Sequence, residues 1–290
     1  MKKLEFRCFE EEMNNPNIDK KPWKFGHKIL DHPALTLSNL EKVVQRLPEE
    51  QVLFSSGKLK KSDNFDTAHK DKITGLSLKE TIENIKTSES YIMVRRPEVD
   101  HSFKDLFESI KEDVKTTLKS QGLSDILIEP KLYIFIASPG SITPFHVDRS
   151  STFLMQLRGN KKIVVYPNDE YQVVTRPEVE AFLAFSGERP VYNEAMDEFS
   201  NDFDFGPGES IHIPFMAPHL VINGTEDVSI SLSIIFRNRN REVQSRAMSF
   251  NHRLRKVLKP LGLDAGKTGQ SLLKDSVKSI ALDVVTKIKP

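Results

Sequence analysis

The chain has 290 residues, with 42 basic and 41 acidic side chains and a net charge of +1. That length supports one large domain or two small ones, with enough core to need no covalent staple. The balance of charge gives no whole-molecule grip on nucleic acid or on an anionic membrane, and the single cysteine, Cys8, excludes a disulfide framework and a multi-cysteine zinc or iron–sulfur site.

The first residues, MKKLEFRCFEEE, mix charges and carry no apolar stretch of signal-peptide length. No window approaches the roughly 20 apolar residues of a membrane span. With one cysteine and no such segments, the expectation is a cytoplasmic protein.

Residues 1–125 read as a mixed α/β segment that packs on a core, with helices dominant. Leu40 to Leu47 has helical apolar spacing and stops before Pro48. Ser77 and Glu80 form a capping box ahead of Thr81 to Ile85. Tyr91 to Val94 reads as a buried strand. From Ser102 to Ser120 the residues Phe103, Leu106, Phe107, Ile110, Val114 and Leu118 form one apolar stripe, and Gly122 suits its end.

The period changes after Pro130. Lys131–Ser138, Thr152–Arg158, Lys161–Tyr166, Ser210–Pro214 and Val228–Phe236 are strand-like runs between turn residues. The last alternates cleanly, with Ser229, Ser231 and Ser233 on one face. Short strands so spaced predict an antiparallel sandwich or barrel over residues 126–238. Residues 168–209 within it carry 11 acidic and 2 basic side chains, with Tyr171, Phe182, Phe185, Tyr192, Phe199, Phe203 and Phe205. They read as an acidic loop insertion, a lid or a groove for a basic peptide being the sharper alternative.

Residues 239–290 return to helix: Arg241–Leu258, then Ser271–Ile288 with an apolar face of Leu272, Leu273, Val277, Ile280, Ala281, Val284, Val285 and Ile288. From Arg237 onward the balance is 13 basic to 4 acidic. The apolar stripe predicts a homodimer through these helices, and the lysines a solvated face.

The segment Ser141-Ile-Thr-Pro-Phe-His-Val-Asp148 carries the chemistry. Residues two apart on a strand point the same way, so His146 and Asp148 can reach one point. His219, in Pro214-Phe-Met-Ala-Pro-His219, opens a later strand and offers a third ligand. Two imidazoles and one carboxylate on one side of a metal are the donor set of non-haem Fe(II) oxygenases, with open positions left for co-substrate and O₂. His212 lies inside an apolar strand and reads as a packing residue or a hydrogen-bonded support. An oxygenase drawing electrons from 2-oxoglutarate needs a buried cation for the distal carboxylate. Lys161 opens a strand just after the Gly159 turn and Thr143 precedes His146, so both are candidates for that pocket.

These motifs, Thr143-Pro-Phe-His-Val-Asp148, Phe153-Leu-Met-Gln-Leu-Arg-Gly-Asn-Lys161, Tyr166-Pro167, Gly208-Glu-Ser-Ile-His-Ile-Pro214 and Pro218-His219, occur in order. Over about Tyr133–Phe236 the sequence resembles the JmjC-type, cupin-like 2-oxoglutarate oxygenases, in particular their bacterial cupin-like and asparaginyl-hydroxylase members. The resemblance implies a mainly β, α+β protein: a double-stranded β-helix (cupin or jelly-roll) core with N-terminal helices and a C-terminal helical segment. It implies Fe(II) on His146, Asp148 and His219, and 2-oxoglutarate on Lys161 with Thr143. Tyr91 lies 55 residues before His146, where hydroxylase members place a tyrosine that touches the same carboxylate. Ser233 and Thr152 stand where those members have asparagines, Ser233 near the metal. The implied reaction takes 2-oxoglutarate and O₂ to succinate and CO₂ and hydroxylates a C–H bond of a protein, peptide or small molecule; hydroxylation of an N-methyl carbon would make it a demethylase. The alternative is a non-catalytic metal-binding cupin-like module.

Overall fold

In strands the alternation of apolar and polar side chains lets one sheet face bury while the other meets a second layer. The computed structural model describes residues 7–10, 18–56, 59–67, 84–87, 89–168 and 172–288. The Ser77–Glu80 capping box and Tyr171 lie outside them. The strands are β1 (Trp23–Gly26), β2 (Val52–Ser56), β3 (Ser90–Arg95), β4 (Leu127–Ala137), β5 (Ile142–His146), β6 (Ser151–Arg158), β7 (Lys161–Val165), β8 (Asn201–Phe205), β9 (Glu209–Ile213), β10 (His219–Asn223) and β11 (Ser229–Asn238). A seven-stranded sheet has the order β1-β9-β6-β11-β4-β3-β2, and a four-stranded sheet the order β5-β10-β7-β8. From β4 onward the chain passes back and forth between the sheets, and every pairing is antiparallel. This is the jelly-roll, double-stranded β-helix arrangement within an α+β protein.

The first third departs from the expectation of mainly helical packing. It supplies β1, β2 and β3, all of them strands of the larger sheet. β3 extends the predicted Tyr91–Val94 strand by one residue at each end and pairs with β4. Its helices among the described residues are α1 (Leu37–Arg46) and α2 (Lys104–Ser120). The α2 stripe of Leu106, Ile110, Val114 and Leu118 is fully buried against the outer face of the larger sheet, with Ile92, Val94, Leu132 and Ile134 in the same core.

The acidic segment is not the loop that its charge suggests. It folds into α3 (Arg176–Leu183), a 3-10 turn at Glu194–Phe199, and β8, an edge strand of the smaller sheet. The reason is its alternation: Phe203 and Phe205 pack inward, while Asp202 faces out to meet Lys162 Nζ across the strand pair at 2.6 Å.

Two helices close the chain, α4 (Arg239–Leu258) and α5 (Leu272–Ile288). α4 packs on α3, where Arg255 and Asn251 bind the buried Glu180 carboxylate. α5 turns its polar edge to α4: Ser279 accepts from Arg246 Nε at 2.9 Å, and Asp275 is buried. The predicted apolar face of α5 is left uncovered, with Leu273, Val277, Ile280 and Val284 all more than half exposed. No helix among the described residues is long and apolar enough to cross a membrane.

One buried acid ties these parts together. Asp19 accepts from Ser151 Oγ (2.6 Å), the Phe215 N–H (2.9 Å) and Arg241 Nε (2.9 Å). Its own N–H donates to His212 Nε2 at 2.9 Å. Burial pushes this carboxyl up, but the Arg241 guanidinium and the other partners outweigh it and hold it below the ordinary range. His212 is thus a packing and supporting histidine.

Candidate active site

β5 and β10 are neighbours, and His146 pairs directly with His219. The register then slips: Val221 pairs with Thr143, so three residues of β5 span two of β10. This bulge has a local cause. Pro144 has no N–H to give to a ladder, and the Phe145 N–H is turned away to the Lys61 carbonyl at 2.9 Å. Without the bulge, strict alternation would send Thr143 and His146 to opposite faces; with it, both face the cavity between the sheets. His219 is aimed by the turn before β10, in which Met216 adopts the left-handed region at φ 62°, a conformation costing about 1–2 kcal/mol in a residue with a side chain.

His146, Asp148 and His219 each offer one ligand atom within 4.8 Å of the others. Both imidazoles are set by the same device. His146 Nδ1 bonds to the Pro144 carbonyl at 2.8 Å, and His219 Nδ1 to the Ala217 carbonyl at 3.0 Å. With Nδ1 donating, each Nε2 lone pair faces inward, and Asp148 Oδ2 lies 3.9 Å from both Nε2 atoms. Burial lowers both histidines, His146 to about 3 with the help of neighbouring His219. Burial raises Asp148, but the two histidines and Arg189 more than offset this and keep it ionised. Two neutral imidazoles and a carboxylate on one side of a point are a fitting donor set for Fe(II), with the opposite positions open.

The ligands are braced from outside. Phe65 stacks flat on the His146 ring, centroids 4.1 Å apart and planes 7° apart. Arg189 grips both Asp66 oxygens through Nε at 2.8 Å and donates to the Val147 carbonyl between the two early ligands. No local pattern marks Phe65, Asp66 or Arg189, because each meets the site from far along the chain.

The cavity has a volume of about 620 Å³. Lys161 stands at its closed end, only 5% exposed. The turn before it requires glycine: Gly159 has φ +69°, and a Cβ there would sit 2.7 Å from the Val228 carbonyl. Lys161 Nζ donates to Ser231 Oγ, which donates to Gln156 Oε1 at 2.6 Å. Gln156 Nε2 is anchored in turn by the Gly159 carbonyl and Ser229 Oγ, each at 3.0 Å. These partners are neutral. Burial lowers Lys161 to about 7, with no acid among the described residues to raise it. A buried ammonium without a counter-ion is costly unless an anion arrives. Tyr91 and Thr143 share a side-chain hydrogen bond, and burial holds the Tyr91 phenol well above its usual range. The Ser233 and Thr152 hydroxyls line the same cavity, and each is buried with no hydrogen-bond partner among the described residues. A dicarboxylate fits this set: one cation at the closed end, unfilled hydroxyls along the wall, and a metal donor set above.

Every site residue singled out in the sequence therefore lines one cavity: His146, Asp148, His219, Lys161, Thr143, Tyr91 and Ser233. The reading of the residues missed Ser231 as the partner of Lys161, although its serine face was visible. It also missed Gln156, the one amide in a strand that is otherwise largely apolar.

No protein-family model matches the chain. Among solved structures it is similar to Escherichia coli YcfD. An X-ray structure of that protein is 15% identical, with a TM-score of 0.49 over 94% of this chain and 66% of that one. A structure of YcfD, described as a ribosomal oxygenase, in complex with cobalt and 2-oxoglutarate is 13% identical, with a TM-score of 0.49 over 99% and 69%. The cobalt and succinic acid complex is 14% identical, again at 0.49 over 99% and 69%. The chain thus spans about two-thirds of the length of these structures.

Proposed function

We propose that this chain is an Fe(II)- and 2-oxoglutarate-dependent oxygenase that hydroxylates a C–H bond and releases succinate and CO₂. The observation that carries this reading is the pairing, in one cavity, of an inward-facing His–Asp–His donor set with a buried lysine that has no counter-ion among the described residues. Iron with bound 2-oxoglutarate supplies the O₂-dependent oxidation itself.

The chain's own residues do the rest. His146, Asp148 and His219 hold the metal on one side and leave its other side open. Their Nδ1 hydrogen bonds fix the tautomers before any metal arrives. Lys161 receives the distal carboxylate of 2-oxoglutarate, aimed by the Ser231–Gln156 relay. Tyr91 and Thr143 serve the same carboxylate, and Ser233 supplies a hydroxyl toward the metal end of the cavity. Phe65 covers one His146 face and keeps water from it.

The test is succinate formation by purified protein given Fe(II), 2-oxoglutarate and O₂, together with its metal content. Turnover that disappears in His146→Ala supports the reading. A wild-type protein that binds iron but forms no succinate with any substrate class would leave a metal-binding module instead. A cytoplasmic location is part of the proposal, supported by the lone cysteine. So is a homodimer through α5, supported by its uncovered stripe of Leu273, Val277, Ile280 and Val284. Replacing Leu273 and Ile280 by lysine should then give a monomer by light scattering with unchanged circular dichroism.

A further inference from the structure

We infer that the open end of the cavity holds a second anion site, built on Arg95 and Tyr133, and that the primary substrate therefore carries a carboxylate. This rests on the reading of Lys161 as the co-substrate anchor.

An inventory of the ionic groups in the cavity wall leads there. Asp148 faces His146 and His219. Asp66 is bound by Arg189. Lys161 is held at the closed end by Ser231 and takes the co-substrate. Arg95 is left over: it lines the cavity, its side chain is exposed, and among the described residues no acid lies within ion-pair distance of it.

The register fixes its depth. Arg95 pairs with Tyr133, and Tyr133 pairs with Ser233, so the three form one row across β3, β4 and β11. Ser231, the partner of Lys161, lies one inward-facing row deeper, about 7 Å along the strand. The two cations thus stand at different depths and on different sheets. A co-substrate whose distal carboxylate sits on Lys161 and whose other end reaches the metal leaves Arg95 unfilled.

The rest of the row is equipped for a second ligand. The Ser233 hydroxyl is 99% buried, aimed into the cavity and without a partner among the described residues. The Tyr133 ring lies parallel to Phe135 within 18°, centroids 6.1 Å apart, and offers a flat wall. Met93 and Ile235 flank it with apolar surface. A guanidinium with its donors free matches a carboxylate with two parallel hydrogen bonds. The 620 Å³ volume lies well inside the range of about 300–1,000 Å³ that takes a drug-sized ligand, which leaves room for both molecules. The carboxylate belongs either to a small free acid or to an acidic side chain of a peptide, and the experiment separates these sources.

Zn(II)-loaded full-length protein, which does not turn over, is titrated in a calorimeter with and without saturating 2-oxoglutarate. The probes are phenylacetate and phenylacetamide, and the blocked tripeptide acetyl-Phe-Glu-Leu-amide with its Gln counterpart. At least one acid should bind about tenfold more tightly than its amide, the scale of a charge-assisted pair. Arg95→Gln should abolish that preference and Arg95→Lys keep part of it, while 2-oxoglutarate affinity stays within about twofold, since its carboxylate rests on another cation. Preference in the first pair assigns a small acid, and in the second a peptide side chain. The inference is overturned if neither acid outbinds its amide, if Arg95→Gln keeps the preference, or if that variant weakens 2-oxoglutarate as much as the acid. Failure of the oxygenase reading is seen separately, as wild-type protein that takes up neither metal nor 2-oxoglutarate; the probe titrations without 2-oxoglutarate still decide the acid preference.

Discussion

The two sheets bring different chemistry to the cavity they enclose. The smaller sheet and its loops present His146, Asp148, His219 and Lys161, groups that ionise or donate to a metal. The larger sheet answers with neutral groups: Ser231, Ser233, Gln156, Tyr91 and Tyr133, with Arg95 at the open end as its one charge in the cavity wall. Ionic groups of opposite sign on facing walls would pair with each other and lose their capacity for ligands. Neutral hydroxyls opposite them orient the charges and leave them available. The larger sheet thus aims what the smaller sheet holds.

The sharpest way to break this contrast is on the smaller sheet. His146→Ala or His219→Ala should lower metal affinity by more than about 100-fold, beyond the 10–100-fold typical of groups that only support ligands, as read by metal analysis and loss of succinate. Next, Lys161→Ala should raise the KM for 2-oxoglutarate by about 10–100-fold, the worth of a charge-assisted contact of 1.5–3 kcal/mol, with metal content unchanged. On the larger sheet, Ser231→Ala leaves the Lys161 ammonium in place and removes only the hydroxyl that positions it, so the same KM should rise less, about fivefold for a loss of about 1 kcal/mol. Equal effects of the two substitutions would erase the distinction between the walls.

The pH dependence sharpens it further. Ligand-free Lys161 titrates at about 7, and the carboxylate needs its charged form. At fixed metal saturation the 2-oxoglutarate KM should therefore be flat below that pH and rise above it, by up to about tenfold per unit for one linked proton. Lys161→Arg should flatten the rise. For the stability of the ligand-free protein the linkage has the opposite sense. The folded state has released a proton that the unfolded chain keeps up to 10.5, so this residue adds stability as pH climbs between the two values. The smallest effect is expected from Phe65→Ala, which removes a stacking contact of about 0.5–1.5 kcal/mol and should lower metal affinity only severalfold.

Much of the barrel was legible, because alternation and turn residues mark strands directly. Lys161–Tyr166 and Val228–Phe236 coincide closely with β7 and β11. β8 was hidden because its inward phenylalanines alternate with aspartates in an acidic stretch, so composition outweighed period. β1 and β2 are short, and nothing local shows which sheet they extend. In the site, His146, Asp148 and His219 were legible as motif members. Thr143 was legible only as a candidate, since its parity relative to His146 is wrong for a regular strand, and the bulge at Pro144 and Phe145 restores it. Phe65, Asp66 and Arg189 were not legible, because contacts across more than 40 residues leave no trace in spacing.

Asp19 gives the molecule one further property. Its carboxylate joins a residue before β1 to the start of β6, the turn after β9 and the first turn of α4. Peeling away either terminus would strand a dry anion or leave Arg241 without its counter-charge, at a cost of several kcal/mol. Termini and barrel should therefore melt together, as a single endotherm in scanning calorimetry, and Asp19→Asn should lower its midpoint without splitting it.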